Sequence, residues 1–189
     1  EGYLMSQFNL GQIFYNIKKD YKKAVDWFIK SAQLGFMQSQ YMLGHIHLDG
    51  IKGIVKKDII KSKDYFLKAA QQSHSDSQYS LGLLYQNGSK DGHNNIKKNH
   101  KKASEWYLKA AQQGHVEAQH NLGHMYSDKH SDYYDPIKSH EWYLKAANLG
   151  NIISQFNLGV IYDNGNDNNN DPDFKGIQQD SMKAYEWYL

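Results

Sequence analysis

The chain contains no cysteine and no arginine, and proline at only two of its 189 positions. Without cysteine there is neither a disulfide framework nor a thiolate-ligated metal, and the redox compartment is left undecided. Without arginine the bidentate forks that read phosphates and base edges are missing, which argues against a nucleic-acid partner. Scarce proline lets helices run unbroken, and with Ala, Leu, Lys and Gln plentiful the expected class is all-α. No apolar run reaches the roughly 18 residues of a membrane helix, and no charged start followed by an apolar stretch resembles a signal peptide. The expectation is a soluble chain with no membrane partner, the compartment unspecified and the cytoplasm its default.

The net charge of +2 hides an uneven split. Residues 1–112 hold 17 Lys against 9 acids and residues 113–189 hold 5 Lys against 11, leaving +8 and −6. Such a division suits an extended molecule with a basic and an acidic end better than a uniform polyanion binder.

What the sequence does contain is repetition. Leu-Gly pairs begin at Leu10, Leu43, Leu81, Leu122 and Leu158, and aromatic pairs stand at Trp27-Phe28, Tyr65-Phe66, Trp106-Tyr107, Trp142-Tyr143 and Trp187-Tyr188. The first aromatic always precedes the next leucine by 16 residues, whereas the interval from leucine to the following aromatic runs from 17 to 29. A constant interval joins packed elements and a variable one is a surface loop.

Each aromatic segment predicts a helix with Ala or Ser at −3, an acid at −1, Lys at +3 and mostly Ala at +4 and +5, counted from the first aromatic. The acid and the lysine form an i,i+4 pair worth roughly 0.2–0.5 kcal/mol. Trp27, Trp106 and Trp142 are the expected core anchors, at about 3–5 kcal/mol each if fully buried. Gly35, Gly114 and Gly150 supply left-handed caps, and Ser73 stands where the second repeat should have its glycine. The Leu-Gly segments predict a second helix, with Ser or Ala at −4, Gln at −3, an apolar residue at +3 and usually a ring at +4. Positions −4, 0, +3 and +4 share one arc at 100° per residue and form the expected buried stripe. Each helix-turn-helix unit cannot bury its apolar faces alone, and stacking solves that problem.

Stretches such as "LGLLYQNG" and "KASEWYLKAAQQGHVEAQHNLGHMY" resemble the Sel1-like repeat family, relatives of tetratricopeptide repeats, and the resemblance covers essentially the whole chain. It implies an all-α, right-handed α-solenoid in which residues 1–189 form a single array anchored at Leu10, Leu43, Leu81, Leu122 and Leu158. Gly2 falls at a cap position and the chain closes on "EWYL" inside an aromatic helix, so a segment of a longer array is expected.

Positions −2 and +2 of the Leu-Gly helix lie about 160° from the leucine, opposite the buried stripe. They read Phe8/Gln12, Tyr41/His45, Tyr79/Leu83, His120/His124 and Phe156/Val160. The resemblance implies that this face lines a concave groove receiving a protein or peptide partner. Packing of the same rings between adjacent repeats is the other reading.

Other motifs carry less. His120 and His124 have i,i+4 metal-ligand spacing, but His120 fills a slot held elsewhere by Phe or Tyr, and His45 with His47 diverge on a helix. The insertion "DNGNDNNNDPDFKG", residues 163–176, has Asp167, Asn169 and Asp171 in calcium-loop register, but Pro172 and Gln178 stand where Gly and Glu are needed. Asn87 heads a single Asn-Gly-Ser sequon. The lysine pairs at 18–19, 56–57, 97–98 and 101–102 fit solvation or an acidic partner. No nucleophile, phosphate-loop or dinucleotide motif is present. The expected function is a non-catalytic interaction scaffold, without metal or cofactor, that binds a protein or peptide on the concave face. The alternative is a structural array stacking end to end through its basic and acidic halves.

Overall fold

A computed structural model describes residues 2–91, 94–165 and 177–189. The two predicted kinds of helix alternate along it. The Leu-Gly helices are α1 (Gly2–Gln12), α3 (Met37–Asp49), α5 (Ser75–Asn87), α7 (Val116–Ser127) and α9 (Ile152–Asn164). The aromatic helices are α2 (Tyr21–Gln33), α4 (Ile59–Gln71), α6 (His100–Gln112), α8 (Pro136–Asn148) and α10 (Ser181–Tyr188). A π-helical turn, Ile13–Ile17, extends α1, and one variable connection folds into the antiparallel hairpin β1 (Ser89–Asp91) and β2 (Asn94–Ile96). The insertion at residues 166–176 lies outside the described residues. Two compact units, Glu1–Trp106 and Tyr107–Leu189, divide the chain inside α6.

The constant turns close alike in both units. In the first, Gly35 N–H donates to Ala32 O at 3.0 Å and Phe36 N–H to Ser31 O at 3.1 Å, satisfying carbonyls the helix end would orphan. Gly150 and Asn151 repeat these bonds in the second unit at 2.9 and 3.0 Å. Ser73 closes its turn by the same pattern, at φ 65°, so it takes the left-handed conformation without the freedom of glycine.

The variable connections also end alike. Asp20, Asp58, Asn99, Asp135 and Asp180 each accept the backbone N–H of the lysine three residues on, at 2.9–3.1 Å. Their own N–H groups donate back to the carbonyl four residues past the Leu-Gly leucine, namely Phe14, His47, Tyr85, Tyr126 and Tyr162, at 2.7–3.0 Å. Loops of any length therefore finish in one latch, which caps the helix start and ties it to the helix before.

Burial corrects the expected anchors. In the first four pairs the second ring is the core residue: Phe28, Phe66, Tyr107 and Tyr143 are buried, whereas Trp27, Tyr65, Trp106 and Trp142 are half-buried; in the fifth, Tyr188 is 46% exposed. The reason is the neighbouring glycine. A Cβ at Gly11 would sit 2.6 Å from Phe28 Cε1, and one at Gly123 would sit 2.6 Å from Tyr143 Cδ1, so only a bare backbone admits the ring. Because of that approach, a Leu-Gly helix packs more extensively with the aromatic helix after it than with the one before. Lys30 and Lys145 lie over the faces of Trp27 and Trp142, 4.4 and 4.0 Å from the ring centroids, so these lysines serve cation–π contacts in place of the expected ion pairs.

The buried stripe is also shifted. The rings at +4 (Phe14, His47, Tyr85, Tyr126, Tyr162) are half-buried, and the glutamines at −3 go inside instead. Gln40, Gln78, Gln119 and Gln155 each donate Nε2–H to the carbonyl of the alanine eight residues earlier, at 3.1–3.2 Å. The small-Gln pair thus has two jobs: the small residue lets the helices approach, and the amide caps the end of the preceding aromatic helix.

Candidate functional site

The candidate residues fall in separate units. Phe8, Gln12, Tyr41, His45, Tyr79 and Leu83 belong to the first, and His120, His124, Phe156 and Val160 to the second.

In the first unit all six are half-buried. Their rings lean on the core aromatics: Phe8 lies 5.8 Å from Phe28 and 5.5 Å from Phe36, and Tyr41 lies 5.9 Å from Phe66. Tyr41 is also flanked by His45 at 4.7 Å and His74 at 4.9 Å. Burial, with a smaller contribution from Asp76, raises the Tyr41 phenol above its usual range. Burial lowers the His45 and His74 imidazoles. His45 packs edge-on against Phe66 at 5.1 Å, and its Nε2 is buried without a hydrogen-bond partner. His74 instead accepts Ser77 N–H at its Nδ1, capping α5. His45 and His47 diverge as their spacing requires, for His47 stacks on Tyr65 at 5.5 Å.

In the second unit, His120 is half-buried, its ring 5.6 Å from Tyr143 and its Nδ1 2.9 Å from Ser154 Oγ on the next Leu-Gly helix. Burial, assisted by the neighbouring His124, lowers its pKa and keeps it neutral near pH 7. His124 is exposed, Val160 half-buried, and Phe156 58% exposed with its ring 5.8 Å from Tyr188. Among the described residues no three His, Cys, Asp or Glu side chains cluster to hold a metal. Phe8, Tyr41 and His120 therefore each rest on a core aromatic and stay partly open, an arrangement suited to apolar and hydrogen-bonding contact with a docked chain.

Sequence reasoning missed the glutamine caps and the loop latch. Both were visible as repeated spacings: Gln always stands eight residues past an alanine, and Asp or Asn three residues before a lysine.

The Sel1 repeat family profile matches residues 4–36, 38–74, 75–115, 116–151 and 152–189, and the chain belongs to this family. A protective antigen of uropathogenic Escherichia coli, described as displaying the SLR fold, is 33% identical with a TM-score of 0.79 over 97% of this chain. A Sel1 repeat protein of Oxalobacter formigenes is 27% identical, with a TM-score of 0.78 over 98%. An immunity protein of Pseudomonas aeruginosa, 17% identical with a TM-score of 0.58 over 100% of this chain, shares the fold. The chain spans 37%, 71% and 64% of these three proteins' lengths. No curated protein matched the sequence. The fold class is the all-α solenoid of Sel1 repeats, a family that generally serves as protein-interaction scaffolds and is generally non-catalytic. Among the described residues no helix is long and apolar enough to cross a membrane.

Proposed function

We propose that residues 1–189 form one Sel1 repeat array acting as a non-catalytic adaptor, which holds a partner protein or peptide along the solvent side of its Leu-Gly helices. The observation that carries this is positional: the −2 rings recur on one helix face and none of them is buried, while Leu43, Leu81, Leu122 and Leu158 and the glutamines Gln7, Gln40, Gln78 and Gln119 of the same helices are. Phe156, at 58% exposed, and His124, also exposed, are the open contacts of the second unit. Such a face offers rigid aromatic anchors interleaved with Gln and His donors, the mixture that peptide-binding surfaces use.

The test places a photo-crosslinking residue at His124, at Phe156 and at Lys145 on the aromatic helix α8, and exposes each protein to host lysate. Capture of one common species from His124 and Phe156, absent from Lys145, supports the adaptor reading. Capture from Lys145 alone overturns it. Crosslinks only to further copies of the chain, with sedimentation that depends on concentration and salt, would favour the end-to-end array.

A further inference from the structure

The loops that differ in length share one element on the first unit. Immediately before the cap residue stand Ile17-Lys18-Lys19, Val55-Lys56-Lys57 and Ile96-Lys97-Lys98, ahead of Asp20, Asp58 and Asn99. The latch described above fixes all three caps to equivalent carbonyls, of Phe14, His47 and Tyr85, at 3.0, 2.7 and 2.8 Å. Each lysine pair thereby precedes a fixed cap at the same register of consecutive repeats, Lys19 alone at a left-handed φ of 55°. All six lysines are exposed. The equivalent two positions in the second unit are Tyr133-Tyr134 and Gln178-Gln179, with no lysine.

The cap acids beside the row, Asp20 and Asp58, are engaged by the lysines inside the helix, Lys23 at 3.0 Å and Lys61 at 3.6 Å. The start of each aromatic helix adds the positive end of its dipole.

Three partners carry the needed negative charge, and the loops discriminate among them. A lipid surface would want apolar side chains shared across the row, but Ile17 is 71% exposed, Val55 half-buried and Ile96 buried. A nucleic acid would want arginine and open rings; the chain has no arginine, and Lys23 and Lys102 already cover Phe14 and Tyr85 at 5.5 and 5.3 Å. What the repeats share is a line of paired ammonium groups, which matches a linear run of carboxylates. We propose that Lys18-Lys19, Lys56-Lys57 and Lys97-Lys98 form a docking row for an extended Asp/Glu-rich peptide segment, separate from the Leu-Gly helix face.

The experiment uses the full chain and a fluorescent Glu-rich peptide long enough to span three repeats, read by anisotropy. Changing any one pair to Gln is expected to weaken binding about two- to fivefold, and all three together at least about tenfold, with wild-type binding falling as salt rises. A control pair on the aromatic helices, Lys22→Gln with Lys68→Gln, removes the same charge and is expected to cost less than about twofold. Circular dichroism checks that each variant is folded. An equal loss in the control, no measurable peptide binding, or tighter binding to oligo-dT or to phosphatidylserine vesicles than to the peptide would each overturn the proposal. A Phe156→Ala variant is expected to bind this peptide normally, which keeps the result independent of the adaptor face.

Discussion

The side-chain amide of Gln119 donates to the carbonyl of Ala111 at 3.1 Å, reaching back across the constant turn to the end of the helix before it. The same carbonyl accepts Gly114 N–H at 3.0 Å, so loss of the amide removes the second of its two bonds. Gln119→Met keeps the volume and removes the donor. The expected loss is about 0.5–1.5 kcal/mol, read as a lower urea midpoint with an unchanged slope.

Gly123→Ala drives a methyl group into the buried Tyr143 ring. Overpacking at a site that cannot yield costs about 1–3 kcal/mol or more. Thermal unfolding of Gly123→Ala beside Gly114→Ser, whose added Cβ meets no neighbour within 4 Å, separates the clash from the strain of a positive φ.

Ser73→Gly should stabilise the chain. Serine at φ 65° bears a steric cost that glycine does not, and the glycine's greater unfolded-state freedom offsets only part of it. The expected gain is up to about 1 kcal/mol; a lower melting temperature would mean that the serine side chain contributes something the geometry does not reveal.

Truncation distinguishes the two aromatics of a pair. Phe28→Ala is expected to cost about 3–5 kcal/mol and Trp27→Ala roughly 1–2, since Phe28 is 0% exposed while Trp27 is half-buried under Lys30. Equal losses would refute this ranking.

Stability should fall on mild acidification. Burial lowers His45, His47, His74, His120 and His140 below the ordinary 6.5. The unfolded chain then binds protons that the folded chain refuses, so the contribution is complete above pH 6.5 and is lost as pH falls through the lowered values. Urea midpoints at pH 7.5 and 5.5 measure it, and His45→Phe should reduce the difference. A second window lies lower. The cap acids Asp20, Asp58, Asp135 and Asp180 are held below 3.8, chiefly by the backbone N–H bond each accepts, so their contribution is present above that value and lost further down.

The alternation of two helix types and their closing turns were legible in the sequence because each depends on residues close along the chain. Leu-Gly spacing and the cap glycines report packing and hydrogen bonds within a turn or two. The role of the glutamines was not legible. A buried amide reaching a carbonyl eight residues away requires the turn between them to be closed first. The candidate face was legible as a stripe at −2 and +2, but how far each ring turns inward was not: Tyr41 meets Phe66 and His74, which arrive from later segments.

The sequence by itself determined an all-helical repeat, the register of every unit and the placement of its lysines, since helix periodicity and capping are read from near neighbours. Only the tertiary structure decided which aromatic of each pair is the core. Both rings of a pair are aromatic in the sequence, and in the first, second and fourth pairs the choice falls to the ring that meets a glycine on the preceding helix, because close approach of two backbones leaves space for that ring alone.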